Sequence, residues 1–294
     1  MEWLSRGGGV RCGKAALTAA GVLALVLFAS GCGRRGRAPA AVSQISVAGS
    51  TSVTPFAEQL AESFMSRHPG LHVNVQGIGS SAGIQATESG AADVGMSSRP
   101  LRSEEAEQLL AVPMALDALA IIVHPSNPVR NLTRAQIRDI FAGRIVRWST
   151  VGGLDRPVIL VNREAGSGTR GAFEELVMGE DKAHLSFRAI RQGSNGAVRA
   201  VVESNPDAIG YISLGVVSPR VRVLAVDGVL PTPENVTRGR YRLVRPFLFV
   251  LRRGSPPSPL AREYLEYVLS DEGQRRLAQA GLVATPSRAL PWKL

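Results

Sequence analysis

Ile45-Ser46-Val47-Ala48-Gly49-Ser50-Thr51-Ser52-Val53-Thr54-Pro55-Phe56 is the stretch on which the reading of the fold turns. A short apolar run with β-branched residues gives way to Gly, Ser and Thr, and a helical pattern follows. Phe56, Leu60 and Phe64 recur at i, i+4 and i+8, with Pro55 near the first turn. This is a strand, a turn and a helix in succession, and the same unit recurs along the chain. His72 to Gln76 alternates like a strand before a helix from Ser81 to Ser89, which Gly90 ends. Val94-Gly95-Met96 is a short strand, and Ser103 opens a helix with Glu104 to Glu107 placed favourably in its first turn. Leu119 to Val123 is uninterrupted apolar sequence, the mark of a strand covered on both faces. Thr133 caps a helix running to Phe141, with Gly143 beyond it. Val158 to Val161 precedes a helix from Thr169 to Val177. Strands at Ile209 to Ile212, Val221 to Val226 and Phe247 to Leu251 lead to two closing helices, Ala261 to Leu269 and Glu272 to Ala280. Alternation of this kind predicts an α/β fold.

Three loops share the opening design: Ala48-Gly49-Ser50-Thr51-Ser52, Gly77-Ile78-Gly79-Ser80-Ser81 and Ala165-Gly166-Ser167-Gly168-Thr169. Ser97-Ser98-Arg99 follows a fourth strand end. A helix N-terminus carries unpaired N–H groups and about half a positive charge, so each loop can face an anion. Hydroxyls add neutral donors, and Arg163 stands where it can add a fork of N–H groups. Any one loop taken alone is better read as a set of N-caps. Four at strand ends favour a shared anion site.

The chain has 294 residues, 45% of them hydrophobic and 5% aromatic, enough for one large domain or two small ones. Disordered, collagen-like and polytopic membrane classes are excluded. The formal charge is +10, and with lysine only at positions 14, 182 and 293, 31 of the 34 cations are arginine. The arginines are scattered and aromatics are few, which speaks against nucleic acid. Cys12 and Cys32 are the only cysteines, so the folded part has no disulfide framework or thiolate metal site. His68 and His72 flank a turn without a third ligand, and neither a metal nor a cofactor is expected.

Arg6, Arg11 and Lys14 precede an apolar stretch from Ala15 to Phe28, which ends in Ala29-Ser30-Gly31-Cys32. This is a secretory signal over residues 1–31 rather than a membrane span. The small-small-Cys ending resembles the bacterial lipoprotein signal, which implies lipidation at Cys32; Ala29 stands where such signals usually carry Leu. Residues 32–43 read as a flexible tether whose Arg34, Arg35 and Arg37 suit anionic headgroups.

Two enzyme motifs occur. Gly79-Ser80-Ser81-Ala82-Gly83 satisfies G-x-S-x-G, which would make Ser81 the nucleophile of an exported serine hydrolase. The histidines after it, His124 and His184, suit structural or surface roles better than a triad. Gly77-x-Gly79-x-x-Ala82 resembles a dinucleotide fingerprint, but Ser98 and Arg99 stand where an acidic residue belongs.

Together, the four segments Ala48–Ser52, Gly77–Ser81, Gly95–Arg99 and Arg163–Thr169 resemble, in order and spacing, those of the phosphate-binding proteins of bacterial ABC phosphate transporters. Asn131-Leu132-Thr133, Ile140-Phe141-Ala142-Gly143 and Trp148 are also similar to that family's second lobe, and the likeness covers nearly all of Ile45 to Pro286. The resemblance implies a two-lobed periplasmic-binding-protein fold of type II. Each lobe would be a mixed sheet flanked by helices, joined by two hinge strands at Leu119 to Val123 and around Arg245 to Phe249. Lobe 1 would comprise residues 44–118 plus 245–294, and lobe 2 residues 119–244. It further implies that inorganic phosphate is held by Thr51, Ser52, Ser80, Ser98, Arg163, Ser167, Gly168 and Thr169, with Ser81 added. Ser98 stands where many members carry an Asp that accepts the proton of bound phosphate. The implied protein is an exported monomer, not an enzyme, lipid-anchored at the cell envelope and docking on ABC transporter permease subunits.

Overall fold

The computed structural model describes residues 43–179, 184–285 and Leu290. The signal segment, Cys32 and most of the tether lie outside the described residues, as does Lys182. In chain order the elements are β1 (Ser43–Gly49), α1 (Thr54–Met65), β2 (Leu71–Gly77), α2 (Ser80–Ser89), β3 (Val94–Ser97), α3 (Ser103–Gln108), β4 (Leu109–Val123), β5 (Asn131–Leu132) and α4 (Arg134–Phe141). Then come β6 (Ile159–Arg163), α5 (Gly168–Phe173), β7 (Ile190–Gln192), α6 (Asn195–Ser204), β8 (Ala208–Ser213), β9 (Arg222–Val223) and β10 (Ala225–Val226). The chain closes with α7 (Pro233–Thr237), β11 (Val244–Arg252), α8 (Pro259–Leu269), α9 (Asp271–Gln279) and β12 (Val283–Ala284). The architecture is α/β, as the alternation predicts.

A mixed sheet runs in the order β2-β1-β3-β11-β4-β8-β6-β7, with β12 and β9 also pairing with β4. β1 is parallel to β2 and β3, and β11 is antiparallel to β3 and β4. Beyond β4 the pairing continues through antiparallel β8 to parallel β6 and β7. β4 is therefore shared: Leu109 to Ala118 pairs with β11, and Leu119 to Val123 with β8.

The apolar cores divide along the same line. One gathers Ile45, Val47, Phe56, Leu60, Phe64, Met96, Val112, Phe247, Phe249, Tyr264 and Leu265. A second, from 118 to 243, is built on Phe141, Trp148, Phe173 and Tyr211, whose ring lies flat on Phe173 at 4.0 Å. A third packs Ile122, Val161, Val198 and Ile212 on the other face of the second half of the sheet. Leu119 to Val123 is fully buried because cores cover both of its faces.

Several sequence expectations are corrected. Ser43, assigned to the tether, is the first residue of β1, where it pairs with Leu71. Val221 to Val226 is not one strand: β9 pairs with β4 and β10 with β5, and buried Leu224 turns the chain from one sheet to the other while its N–H bonds Ile121 O. The helix from Thr169 to Val177 starts at Gly168 and keeps α geometry only to Phe173. Glu174–Met178 continue as a wider π turn, with Val177 and Met178 buried. The first ten residues of β4 carry no strand expectation, because Pro113 and Asp117 interrupt the pattern. Pro113 lies at a register shift opposite Leu248, where the missing N–H is tolerated.

Where β4, β11 and β8 lie side by side, Asp117, Arg245 and Ser213 meet in the interior. Asp117 is paired in register with Arg245, and their ion pair measures 2.8 Å with both side chains essentially inaccessible. Ser213 Oγ donates to Asp117 Oδ1 at 2.7 Å, and Arg245 Nη1 donates to Ser98 O at 3.4 Å. Burial pushes the Asp117 carboxyl up, against the pull of Arg245 and Ser213, and pushes the Arg245 guanidinium down, against the pull of Asp117. Tyr241 closes the crossing by donating to Leu119 O at 2.6 Å.

Candidate functional site

β1, β2 and β3 end together, and their loops are knitted before any helix begins. Gly49 O accepts the N–H groups of Ile78 and Gly79, both at 2.8 Å, and Ser50 N–H reaches Met96 O at 2.9 Å. Glycine is required in this corner: a Cβ on Gly83 would lie 2.4 Å from Gly49 Cα, and one on Gly49 only 2.2 Å from Met96 O. Gly83 of the G-x-S-x-G match is thus a packing residue that lets α2 lie on β1.

The capping reading fails for two of the loops. α1 follows Val53 and α2 follows Gly79, and neither helix has a side-chain cap. Only in the third loop does a hydroxyl cap its helix, where Ser167 accepts the Arg170 N–H at 3.2 Å. The other hydroxyls face one another. Ser50 Oγ donates to Ser98 Oγ at 2.9 Å, Ser80 Oγ lies 3.4 Å from Ser98 Oγ, and Ser98 N–H donates to Ser80 Oγ at 3.3 Å. Ser50, Ser52, Ser80, Ser98 and Thr169 are all buried.

The segment from β6 comes up against this group from the second half of the sheet. Thr169 Oγ1 is 2.6 Å from Ser52 Oγ, and Arg163 Nη2 donates to Thr51 Oγ1 at 3.1 Å. Gly168 is pressed so closely on the opposite loops that a Cβ would fall 2.2 Å from Ser80 Oγ and 2.6 Å from Ser98 Oγ. Half-buried Ser81 joins through its backbone, whose N–H reaches Gly166 O at 3.2 Å. All nine sequence-predicted residues therefore lie in this region.

Arg163 is 1% exposed and carries the fixed positive charge of the cluster. Nε and Nη2 form a fork on the Glu164 carboxylate at 2.9 and 2.8 Å, and the same nitrogens reach Gln192 O and Gly193 O. Arg99, although next to Ser98, is turned away into a two-point pair with Glu105 at 2.7 Å.

Two participants are not among the residues the sequence points to. Ser50 lies inside the first loop. Asn195, 3% exposed at the start of α6, donates from Nδ2 to Ser52 Oγ at 2.7 Å, and its Oδ1 faces Arg163 Nη1 at 3.4 Å. Gln192-Gly193-Ser194-Asn195 repeats the strand-end, Gly/Ser, helix-start design, so the signal was present.

The hydrolase alternative finds no support in this geometry. Among the described residues no hydrogen bond joins Ser81 Oγ to a histidine or carboxylate. His124 Nδ1 is engaged with Ser126 Oγ at 2.7 Å. His68 stacks on Phe64 at 4.4 Å, and no group of three metal-ligating side chains occurs among the described residues.

A family model described as a PBP superfamily domain matches residues 36–272. The chain belongs to the PBP superfamily. The phosphate-binding protein PstS of Bacillus subtilis is 28% identical over 270 residues, 86% of this chain and 88% of that protein. PstS of Pseudomonas aeruginosa is 30% identical over 275 residues, 83% and 84% of the two chains. Among solved structures, a phosphate ABC transporter substrate-binding protein from Clostridium perfringens, with bound phosphate, superposes with a TM-score of 0.80 at 39% identity, covering 83% of this chain and all of that one. An ABC-type phosphate transport receptor from Vibrio cholerae gives 0.70 at 36% identity, covering 82% of this chain and all of that one. The two-lobed type II fold is thereby established.

Proposed function

We propose that this chain captures inorganic phosphate between its two lobes and delivers it to an ABC transporter. The observation that carries the reading is the meeting of Ser52 with Thr169 and of Thr51 with Arg163, which brings segments over a hundred residues apart to one buried, hydroxyl-lined point. Neutral O–H and N–H donors around a single guanidinium are the groups that replace the hydration shell of a tetrahedral anion. The names of the PstS relatives and the phosphate bound in the Clostridium perfringens structure support the choice of anion.

Thr51, Ser52, Ser80, Ser98, Ser167, Gly168 and Thr169 supply donors and shape, Ser81 assists, and Arg163 supplies charge. The lobes divide at residues 44–118 plus 245–294 and at 119–244, and swing about the crossing of β4 and β11. Phosphate bridges the lobes and favours the closed form, and the permease reads that form without any bond being broken. Export on the signal of residues 1–31 and lipidation of Cys32 would hold a monomer at the envelope.

Titration calorimetry with phosphate and then sulfate, after stripping endogenous ligand, tests the reading. Wild type is expected to bind phosphate tightly, and Arg163→Ala to weaken it by about 2–5 kcal/mol, the scale for removing one partner of a buried charge contact. Absence of phosphate binding by the wild type would overturn the function, and unchanged affinity in the variant would move the site elsewhere.

A further inference from the structure

Asn195 brings a side-chain amide to the hydroxyl cluster, and its two ends are chemically distinguishable. Arginine has no acceptor, so the atom that faces Arg163 Nη1 must be Oδ1. That leaves Nδ2 on Ser52 Oγ at 2.7 Å, and an amide nitrogen can only donate. Ser52 is therefore an acceptor from Asn195, and its single proton is free for Thr169 Oγ1 or for an anion. The same logic holds at Thr51, which accepts from Arg163 Nη2 and keeps its own proton for another partner.

We infer that Asn195 is a positioning residue for anion capture: anchored by Arg163, it donates to Ser52 and so leaves one hydroxyl proton of the Ser52–Thr169 pair to face the ligand. This rests on the phosphate reading above. Without Asn195, Ser52 Oγ can spend its proton within the protein, and the anion meets a lone pair instead of a donor. The element that presents Asn195 is suited to the task. Ser194 fixes the start of α6 by accepting the Ala197 N–H at 3.1 Å, and the carbonyls of Gln192 and Gly193 hold Arg163 beside it. A loop that contributes no charge of its own thus orients both a guanidinium and a hydroxyl.

The test is a double-mutant cycle on the full chain, reading phosphate affinity and release rate for wild type, Asn195→Leu, Ser52→Ala and the pair together. Leucine keeps the shape of asparagine and removes both polar ends. Asn195→Leu is expected to weaken phosphate about tenfold, mostly through faster release, the scale of a hydrogen bond to a charged group. In the Ser52→Ala background the same change should cost less than about twofold, because its target is gone. Asn195→Ala serves the same cycle if the leucine variant unfolds early. Equal effects in both backgrounds, or wild-type affinity in Asn195→Leu, would overturn the assignment. If the wild type itself failed to bind phosphate, the reading of the preceding subsection would fall instead.

Discussion

Arg163 and Arg245 are equally buried, each 1% exposed, yet they are held in opposite ways. Arg245 faces a carboxylate that is itself sealed from water, with Ser213 filling that carboxylate's other oxygen. Its charge is cancelled inside the crossing of β4, β8 and β11. Arg163 is paired with Glu164, which is 36% exposed, and its remaining contacts are neutral carbonyls, an amide oxygen and the hydroxyl of Thr51. A buried cation whose counter-ion is solvated still attracts a second anion, whereas one whose counter-ion is buried does not. The two arginines are separated by function through the burial of their partners, not through their own.

The comparison breaks first at Asp117. Asp117→Ala leaves Arg245 uncompensated in the interior and should cost about 3–5 kcal/mol of folding stability, measured by urea unfolding. Freed of its counter-ion and already donating to Ser98 O, Arg245 should then draw the anion as Arg163 does, so phosphate affinity of the folded fraction should rise. Unchanged affinity with lost stability would mean that the burial of its counter-ion is not what keeps Arg245 from the ligand.

Two glycines sharpen the same division. Gly83→Ala thrusts a methyl against the backbone of Gly49 and Ala48 within one half of the molecule, where nothing can yield. Overpacking of this kind should destabilise by about 1–3 kcal/mol or more, seen in the unfolding midpoint. Gly168→Ala meets Ser80 and Ser98 only where the two halves close on each other. Its cost should fall on phosphate affinity, by about tenfold or more, while the ligand-free unfolding midpoint is unchanged. Equal behaviour of the two variants would contradict closure between lobes.

The site was more legible than the scaffold that aims it. Ala48–Ser52, Gly77–Ser81 and Ala165–Thr169 announce themselves because each follows a strand with a readable pattern, an apolar run or an alternation, and precedes a helix. A further hydroxyl loop, before α6, has the same grammar, but its strand is Ile190–Gln192, three residues without a buried side chain. With no apolar run to flag the strand, Ser194 and Asn195 look like ordinary loop sequence. The first ten residues of β4 were hidden for the opposite reason. Pro113 and Asp117 look like breakers, and only the register shift against β11 and the pairing with Arg245 make them acceptable in a central strand. Local pattern reports what a residue prefers alone, whereas β7 is made a strand by its pairing with β6, and the start of β4 by its pairing with β11, more than a hundred residues on.

Arg99 completes the series of buried arginines, and its contribution should be the smallest. Glu105 holds it through two oxygens and also accepts the Arg102 N–H at 2.8 Å. Partial burial pushes the Glu105 carboxyl up, but these hydrogen bonds outweigh it and set the folded value below the usual range. A carboxyl depressed on folding adds stability above its unfolded pKa and loses it as pH falls through the lower folded value. Glu105→Gln keeps a hydrogen-bonding oxygen on Arg99 and should cost about 1 kcal/mol or somewhat more near neutral pH, and its unfolding midpoint should converge on that of the wild type in acid. Because Arg99 is turned away from the hydroxyl cluster, phosphate affinity at neutral pH should be untouched by the change. A variant that kept wild-type stability and lost affinity would place Arg99 with Arg163 rather than with Arg245, and the division drawn between the two kinds of buried arginine would have to be redrawn around Ser98.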